Sequence, residues 1–243
     1  MNIIINKLRK EYSDVVAVDD ISLEIKSGEL FSLLGLNGAG KTTLIKMLST
    51  LTKPTSGLAF INGYSILTDE EKIKEIIDIS MQETAIARKL TVDENLDFYG
   101  LLNGMSKDEL LVEKEYLYNI LNLENVKNKI ASKLSGGYQR KLSIALALIK
   151  KPKILFLDEP TLGLDVISRR ELWNAIKLLK GKMTIILTTH YMEEAEELSD
   201  RIGIIKEGKM LFVGDKSTLF SITNELTVEN AFVNIVTGGS RND

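Results

Sequence analysis

Residues 35–43 read GLNGAGKTT, and the chain is organised around this stretch. It fills the pattern GxxxxGK(S/T), in which backbone N–H groups surround a polyphosphate because glycine lets the chain approach without a Cβ clash. A helix that begins directly after such a loop points its positive end at the phosphates. We expect Lys41 to reach the β and γ oxygens and the Thr42 hydroxyl to bind Mg²⁺. The predicted nucleotide-binding residues of this loop are Gly35, Asn37, Gly38, Ala39, Gly40, Lys41, Thr42 and Thr43.

The neighbouring sequence supplies a strand before this loop and a helix after it. Residues 30–34 form a short apolar run suited to a buried strand, and residues 42–51 carry apolar side chains at helical spacing. The alternative is a glycine-rich turn that fits the pattern by chance. Because both neighbours meet the requirement of the motif, the sequence predicts a phosphate-binding loop.

The composition is that of a globular chain with a full core. Its 243 residues are 44% hydrophobic and 27% charged, which allows one large domain or two closely packed lobes. The net charge of -3 weighs against nucleic acid as a partner, because a phosphate backbone needs a basic face. The absence of cysteine excludes disulfides and zinc–thiolate sites and fits a reducing cytosol.

Long apolar segments are missing from the sequence. No run approaches the roughly 18 residues of a membrane span, and the start, MNIIINKLRKEY, has neither an apolar signal core nor a cleavage site. We therefore expect a soluble, cytoplasmic protein that reaches a membrane only through a partner.

Strand and helix signals alternate on both sides of a helical segment. Between residues 84 and 150 strand signals vanish, and two capping-box patterns start at Thr91 and at Ser106. Strands are predicted within 1–28 and at 30–34, 58–61, 76–81, 154–157, 184–187, 202–205 and 210–213. Helices are predicted at about 42–51, 69–75, 92–103, 107–122, 137–150, 166–180 and 193–199.

This order predicts an α/β fold: a P-loop NTPase core with a mainly parallel sheet, an N-terminal antiparallel β subdomain and an inserted helical lobe. We assign the core to about 1–83 and 151–215 and the helical lobe to about 84–150. A short tail with two weak helix signals occupies about 216–243. Parallel sheets bind ligands at the carboxyl ends of their strands, so the remaining site residues are expected there.

Two carboxylates, Asp158 and Glu159, follow the apolar run at 154–157. One carboxylate can hold Mg²⁺, directly or through water, and the next can orient and deprotonate an attacking water. We assign Asp158 to the metal and Glu159 to the water. An ordinary strand end with solvated acids is the alternative, and the upstream phosphate loop favours the functional assignment.

Two further features stand at the predicted ends of elements. His190, the only histidine, follows Thr184–Thr189, where a donor could reach a γ-phosphate. A lone histidine is otherwise usually structural or merely exposed. Ser135, Gly136 and Gly137 begin the third helix of the lobe and offer a second anion-binding helix end. That end cannot easily face its own phosphate loop, so either it covers the nucleotide of another copy or it is only a capped helix start.

Together these motifs resemble the ATP-binding subunit of an ATP-binding cassette (ABC) transporter, over about residues 10–215. Residues 134–139, LSGGYQ, are similar to the family signature, and residues 163–165, GLD, to its D-loop. The resemblance implies that Tyr12 stacks on adenine and that Val18 belongs to the nucleotide site. It also implies that Gln82 senses Mg²⁺ and contacts the membrane subunit, and that His190 is the switch histidine. Two departures from the family pattern, at positions 36 and 166, remove no chemical group.

The resemblance implies a Mg²⁺-dependent ATPase whose cassettes pair head to tail around ATP. A homodimer is the simplest pair because one chain carries every motif, and transmembrane permease subunits on separate chains are the expected partners. The implied catalytic residues are Lys41, Glu159 and His190. The implied metal ligands are Thr42, Gln82 and Asp158. The implied nucleotide-binding residues also include Ser135, Gly136, Gly137 and Asp165, and of these Ser135 and Gly137 act across the pair.

Three functions stay open at this point. The signature region and the late stretch TVENAFVNIVTGG at 227–239 are similar to exporters of drugs, antibiotics and lipids. An importer motor has the same chemistry, but importer cassettes more often carry a larger C-terminal β-domain. A soluble cassette ATPase acting on DNA or ribosomes is disfavoured by the single cassette, by the lack of a long coiled-coil insert between 82 and 134, and by the acidic balance. We expect an export motor on the cytoplasmic face of the cell membrane.

Overall fold

The computed structural model describes residues 2–238, and the predicted frayed end at 239–243 lies outside the described residues. The strands are β1 (Ile3–Tyr12), β2 (Val15–Ile25), β3 (Leu30–Leu34), β4 (Ser56–Ile61), β5 (Tyr64–Ser65), β6 (Ile77–Ser80), β7 (Ile154–Asp158), β8 (Thr184–Thr189), β9 (Arg201–Lys206) and β10 (Lys209–Gly214). The α-helices are α1 (Lys41–Leu48), α2 (Glu70–Lys74), α3 (Val92–Leu102), α4 (Lys107–Leu121), α5 (Gly136–Leu148), α6 (Val166–Leu179), α7 (Met192–Leu198), α8 (Lys216–Thr223) and α9 (Val228–Thr237).

The strands of residues 2–238 form two sheets. One has the order β2-β1-β4-β5 and is antiparallel. The other has the order β10-β9-β3-β8-β7-β6, in which every pair is parallel except β9 with β10. The predicted fold class is confirmed: an α/β core with a mainly parallel sheet, an N-terminal antiparallel sheet and a segment of helices between β6 and β7.

The central strands of the parallel sheet are buried along their whole length. All residues of β3, β7 and β8 are buried, which explains why they read as continuous apolar runs rather than as alternating ones. β7 and β8 each continue past the predicted apolar run to a polar residue, Asp158 and Thr189. The polar end of β7 is still paired within the sheet, where Asp158 lies opposite Thr188 of β8.

The helical segment begins as the capping signals predict. The Thr91 and Ser106 hydroxyls each accept a hydrogen bond from the backbone N–H three residues further on. The glutamate at that position accepts a bond from the backbone N–H of the cap residue, so both capping boxes form. Two 3₁₀ turns, Glu124–Val126 and Ala131–Lys133, have no counterpart in the prediction. No helix within residues 2–238 is long and apolar enough to cross a membrane. The proposed lobe boundaries at 84 and 150 stay predictions.

Strands β7 and β8 divide the apolar interior. Leu155, Leu157, Ile185 and Leu187 pack in a cluster with the helical segment. Phe156 and its neighbours Ile154 and Ile186 pack in a second cluster with α1 and the antiparallel sheet. This alternation is the period of two that a strand imposes on its side chains. A third cluster joins α7 and β9 to the tail helices α8 and α9.

Candidate active site

The phosphate-binding loop lies between β3 and α1, as predicted, and either close approach or a left-handed backbone favours glycine at three of its positions. Gly40 has φ 107°, and a Cβ there would lie 2.2 Å from the Ala17 carbonyl oxygen on β2. Gly38 has φ 80° with open space around it. A Cβ at Gly35 would lie 2.5 Å from the Ile205 carbonyl oxygen. Helix α1 starts at Lys41, one residue earlier than predicted, so the N-terminal end of the helix faces the loop directly.

Lys41 brings a buried positive charge to this loop. Its side chain is 5% exposed and donates to the carbonyl oxygens of Gly35, at 2.7 Å, and Leu36, at 3.2 Å. Its ammonium also pairs with Glu159 Oε1 at 3.1 Å. The lysine of the loop and the second carboxylate of the β7 motif therefore meet at one point, although they are far apart in sequence.

Asp158 supplies oxygen atoms beside Thr42. The Thr42 hydroxyl donates to the two Asp158 carboxylate oxygens, at 3.1 and 3.0 Å. Asp158 is fully buried and also accepts from the Thr188 hydroxyl at 2.5 Å. A hydroxyl and a carboxylate in contact are the hard oxygen donors that Mg²⁺ prefers. These residues fit a magnesium ion, and Gln82 lines the same cavity.

Glu159 and His190 are in direct contact. His190 Nδ1 lies 2.7 Å from Glu159 Oε2, so Lys41 and His190 occupy the two oxygens of one carboxylate. The parallel pairing of β7 with β8 causes this contact, because both residues follow directly on the ends of neighbouring strands. Glu159 itself has φ 48°, a left-handed conformation that is unusual for a residue with a side chain.

These residues surround one cavity of 370 Å³ at the carboxyl end of the parallel sheet. Most of its lining residues were predicted from the sequence, whereas Ala17 and Leu162 were not. The lining residues are Ala17, Asn37, Gly38, Ala39, Gly40, Lys41, Thr42, Thr43, Gln82, Glu159, Leu162 and His190. A larger cavity of 620 Å³ opens at the opposite edge, beside Gly28 and Thr184 at the starts of β3 and β8. We place the active site in the smaller cavity, because parallel sheets bind ligands at their carboxyl ends.

Several residues expected at the nucleotide site lie outside the lining of this cavity; Gly35 and Asp158 adjoin lining residues, whereas Val18 and Tyr12 lie elsewhere. Val18 is fully buried and packs in the cluster with α1 and the antiparallel sheet, so its side chain is turned away while that of its neighbour Ala17 lines the cavity. The reason is the alternation of β2. Tyr12, at the end of β1, is 45% exposed, and the Lys10 ammonium lies 4.9 Å from the centre of its ring. Its stacking on adenine stays a prediction.

The signature residues form a separate surface at the start of α5. Ser135 occupies the N-cap position with extended backbone, but no side-chain capping bond forms. Ser135 and Gly136 are exposed. A Cβ on Gly137 would lie 2.8 Å from the Ser168 hydroxyl oxygen, so glycine here allows α5 to approach α6 closely. Their role at the nucleotide of another copy stays a prediction.

Asp165 caps α6 beside this surface. Its carboxylate accepts from the backbone N–H groups of Ile167 and Ser168, each at 3.0 Å, and from the Ser168 hydroxyl at 2.7 Å. The backbone and side-chain bonds from Ser168 hold the pKa of Asp165 below its usual value of 3.8. Asp165 is therefore exposed, ionised and fixed in orientation next to Gly137.

Several buried residues that were not predicted from the sequence bond to the site residues or to their neighbours. Thr188 joins the two carboxylate positions, because its hydroxyl donates to Asp158 and accepts from the Glu159 backbone N–H. Glu194 on α7 is fully buried, and burial raises its pKa. Its Oε1 accepts from the Thr161 hydroxyl at 2.8 Å and from the Trp173 ring N–H at 3.0 Å. A polar residue late in a strand and a carboxylate on the buried face of a helix are the signals that could have found them.

Comparison with known proteins identifies the family of this chain. A sequence profile described as "ABC transporter" matches residues 18–162, more than half of the chain. The chain belongs to the ABC transporter family. The matched segment contains the loop at 35–43, the signature at 134–139 and the carboxylates of β7. It is an ABC transporter cassette.

Similar curated proteins are A-family ABC transporters. The chain is 44% identical over 207 residues to the human protein "Phospholipid-transporting ATPase ABCA3", covering 85% of this chain and 12% of that protein. It is 42% identical over 227 residues to "ABC transporter A family member 8" of Arabidopsis thaliana, covering 90% of this chain and 25% of that protein. The chain therefore spans about a quarter or less of the length of these relatives.

Solved structures of ABC cassettes share the fold. A structure of the ATP-binding subunit of an ABC transporter superposes with a TM-score of 0.86 at 26% identity, covering 97% of this chain and all of the other. A dimeric cassette in a post-hydrolysis state with ADP and Pi bound gives a TM-score of 0.79 at 26% identity, covering 88% of this chain and 98% of the other.

Proposed function

We propose that this cassette binds ATP with Mg²⁺ in the 370 Å³ cavity and hydrolyses it to drive a membrane transporter. The observation that carries the proposal is the contact of Glu159 with both Lys41, at 3.1 Å, and His190, at 2.7 Å, beside the Thr42–Asp158 pair. The phosphate-binding loop, the proposed base Glu159 and the proposed donor His190 therefore line one cavity. The similar cassette with bound ADP and Pi supports hydrolysis as the reaction.

The loop at 35–43 positions the triphosphate. Its backbone N–H groups and the start of α1 bind the phosphate oxygens, and Lys41 places its ammonium among them. Thr42 and Asp158 would hold Mg²⁺, with Gln82 as a further oxygen donor. The metal ion, when bound, supplies positive charge that offsets the charge developing on the phosphoryl group. Catalysis by the protein is then mainly positioning and electrostatics.

Glu159 acts as the general base for the attacking water. Its carboxylate is 7% exposed and lies on the cavity wall, where it can accept a proton from a water aligned with the γ-phosphate. His190 is held by Glu159 and can donate to a γ-phosphate oxygen from the same side. Both assignments follow from position, because each residue directly follows the end of a strand of the sheet at the site.

A second cassette completes each site in this proposal. Ser135 and Gly136 are exposed and do not line the cavity, and Asp165, the N-cap residue of α6, bonds to Ser168, which faces Gly137. A helix N-terminus with two glycines presents free N–H groups that suit a γ-phosphate bound by another copy. The dimeric solved cassette to which this chain is similar supports pairing. A homodimer is the simplest form, since one chain carries both halves.

The transport direction and the partner are also proposals. The similar human protein is named a phospholipid-transporting ATPase, which favours export of a lipid-like substrate over drugs, antibiotics or import. We propose that permease subunits span the membrane and that this cassette docks on their cytoplasmic face. Co-purification with the membrane-spanning part of such a transporter tests the docking.

Substitution of Glu159 tests the reaction. Glu159→Gln keeps the shape of the side chain but removes the base, so we expect binding of ATP to persist while turnover falls about 10²–10⁴-fold. Phosphate release measures turnover, and gel filtration with ATP measures whether closed dimers accumulate. A Glu159→Gln variant that hydrolyses ATP at the rate of the unmodified chain contradicts the assignment of the base.

A further inference from the structure

Arg140 is a buried cation without a carboxylate partner in ion-pair contact within residues 2–238. It lies on α5, one turn after Gly136, and its side chain is 4% exposed. A buried guanidinium needs compensation, because removing its charge from water is costly. The compensation comes from backbone carbonyl groups on two other segments.

Four carbonyl oxygens accept hydrogen bonds from this guanidinium. Nη2 donates to Asp158 at 2.8 Å, Nε donates to Pro160 at 2.9 Å, and Nη1 donates to Gln82 at 3.3 Å and to Met81. Burial lowers the pKa of Arg140 to about 10, against the opposing effect of the nearby carboxylates. Arginine suits this position because it offers five donors in a rigid planar fork, whereas lysine offers three on one atom.

The bonded carbonyls lie on either side of the proposed base. Glu159 stands between Asp158 and Pro160, and its φ of 48° is a strained conformation for a residue with a side chain. Its own N–H donates to the Thr188 carbonyl oxygen at 3.1 Å. The Asp158 carbonyl and the Glu159 N–H, which bond to Arg140 and Thr188, belong to the single peptide unit that precedes Glu159. Arg140 also bonds to the Pro160 carbonyl oxygen beyond Glu159, so the backbone is held on both sides of this left-handed residue.

We propose that Arg140 is a positioning residue that ties the backbone around Glu159 and at Gln82 to helix α5. It sets the direction in which the Glu159 carboxylate enters the cavity. The helix that begins at the exposed signature glycines thereby moves together with two residues of the cavity in its own chain. This inference rests on the proposed function for the role of Glu159, and its structural part does not depend on that role.

The test compares Arg140→Met with a matched control, Lys114→Met. Lys114 is also a buried cation, 8% exposed, but it lies on α4 and pairs with Asp93 at 2.6 Å and Asp97 at 2.7 Å, away from the cavity. Both variants lose a buried charge and its bonds, so a general loss of stability affects both. Thermal unfolding is measured first, and activity is compared at a temperature where both variants are folded.

We expect Arg140→Met to lower kcat for ATP about 100-fold, because a displacement of roughly 1 Å at a reacting group has that effect. KM should stay nearly unchanged, and Lys114→Met should keep the kcat of the unmodified chain. Arg140→Lys should recover part of the rate, and it serves as the variant to measure if Arg140→Met does not fold. In the Glu159→Gln background the Arg140 substitution should cause no further loss, because the residue through which it acts is already disabled.

Hydrogen exchange gives a readout that does not require turnover. The Glu159 backbone N–H should exchange at least about tenfold faster in Arg140→Met, and at an unchanged rate in Lys114→Met. Unchanged exchange of the Asp158 and Glu159 backbone N–H groups, or a fall in kcat no larger than in Lys114→Met, overturns the inference. If the unmodified chain shows no ATPase activity, the proposed function fails, and hydrogen exchange alone decides whether Arg140 holds this backbone.

Discussion

Replacing Gly40 with alanine tests the packing of the phosphate-binding loop most directly. Gly40 has φ 107° and ψ 0°, and a Cβ there would lie 2.2 Å from the Ala17 carbonyl oxygen. A left-handed conformation costs an L-residue about 1–2 kcal/mol, and overpacking against fixed atoms adds about 1–3 kcal/mol. We therefore expect Gly40→Ala to lower the free energy of unfolding by about 2–5 kcal/mol.

Gly38 provides the matched control for this substitution. Its φ is 80°, but apart from Gly38 and its two chain neighbours no heavy atom of residues 2–238 lies within 4 Å of the position of a Cβ. Gly38→Ala carries the conformational term alone, so it should lower the free energy of unfolding by about 1–2 kcal/mol. Urea unfolding followed by circular dichroism measures both variants, and binding of a fluorescent ATP analogue shows whether the loop keeps its shape.

The difference in free energy of unfolding between the two variants shows whether the contact with Ala17 requires glycine at position 40. If Gly40→Ala and Gly38→Ala lose the same free energy of unfolding within about 0.5 kcal/mol, the contact with Ala17 is not what requires glycine at position 40. An intact affinity for the ATP analogue in Gly40→Ala would point to the same conclusion, because a displaced loop cannot keep its N–H groups on the phosphates.

Three further predictions concern the dimer, a buried acid and a helix cap. Subunits with His190→Ala and subunits with Ser135→Ala should each be inactive alone, but their mixture should regain about a quarter to a half of the phosphate release if the site is shared between chains; no recovery argues against sharing. Burial raises the pKa of Glu194, so the stability that its protonated form contributes is complete below the ordinary value of 4.5 and is lost as the pH rises through the folded pKa. The Glu194→Gln variant should therefore become more stable relative to the unmodified chain as the pH rises from 5 to 8, and urea unfolding at both pH values measures this. An equal difference in the free energy of unfolding between the two proteins at pH 5 and at pH 8 contradicts the raised pKa. Thr91→Ala removes a capping box and should lower the free energy of unfolding by about 1 kcal/mol, whereas Thr91→Ser should be nearly neutral.

Features that depend on neighbouring residues in the chain could be predicted from the sequence. The capping boxes at Thr91 and Ser106 form because all their atoms come from four consecutive residues. The loop at 35–43 and the carboxylates after β7 meet as expected, since parallel strands align their carboxyl ends. Local chemistry and the layout of an α/β sheet were enough for these elements.

Features that depend on register or on distant backbone could not be predicted. One position along β2 decides that Ala17 lines the cavity and that Val18 enters the core, and the bulges in the pairing of β1 with β2 shift that register. The bonds of Arg140 go to carbonyl groups, which every residue carries, so no side-chain pattern marks them. The left-handed backbone of Glu159 likewise leaves no trace in the residue type.

The alternation along β7 and β8 has a consequence for how such a cassette can diverge. Phe156 faces the cluster shared with α1, whereas Leu155 and Leu157 face the cluster of the helical segment. A mutation that repacks the helical side therefore changes one surface of each strand and leaves the other surface in place. Successive mutations can reshape the helical segment for a new partner while the strand ends that present Asp158 and Glu159 keep their support. Because β7 and β8 lie between two apolar clusters, the helical segment can change without altering the strand ends that present the proposed catalytic residues.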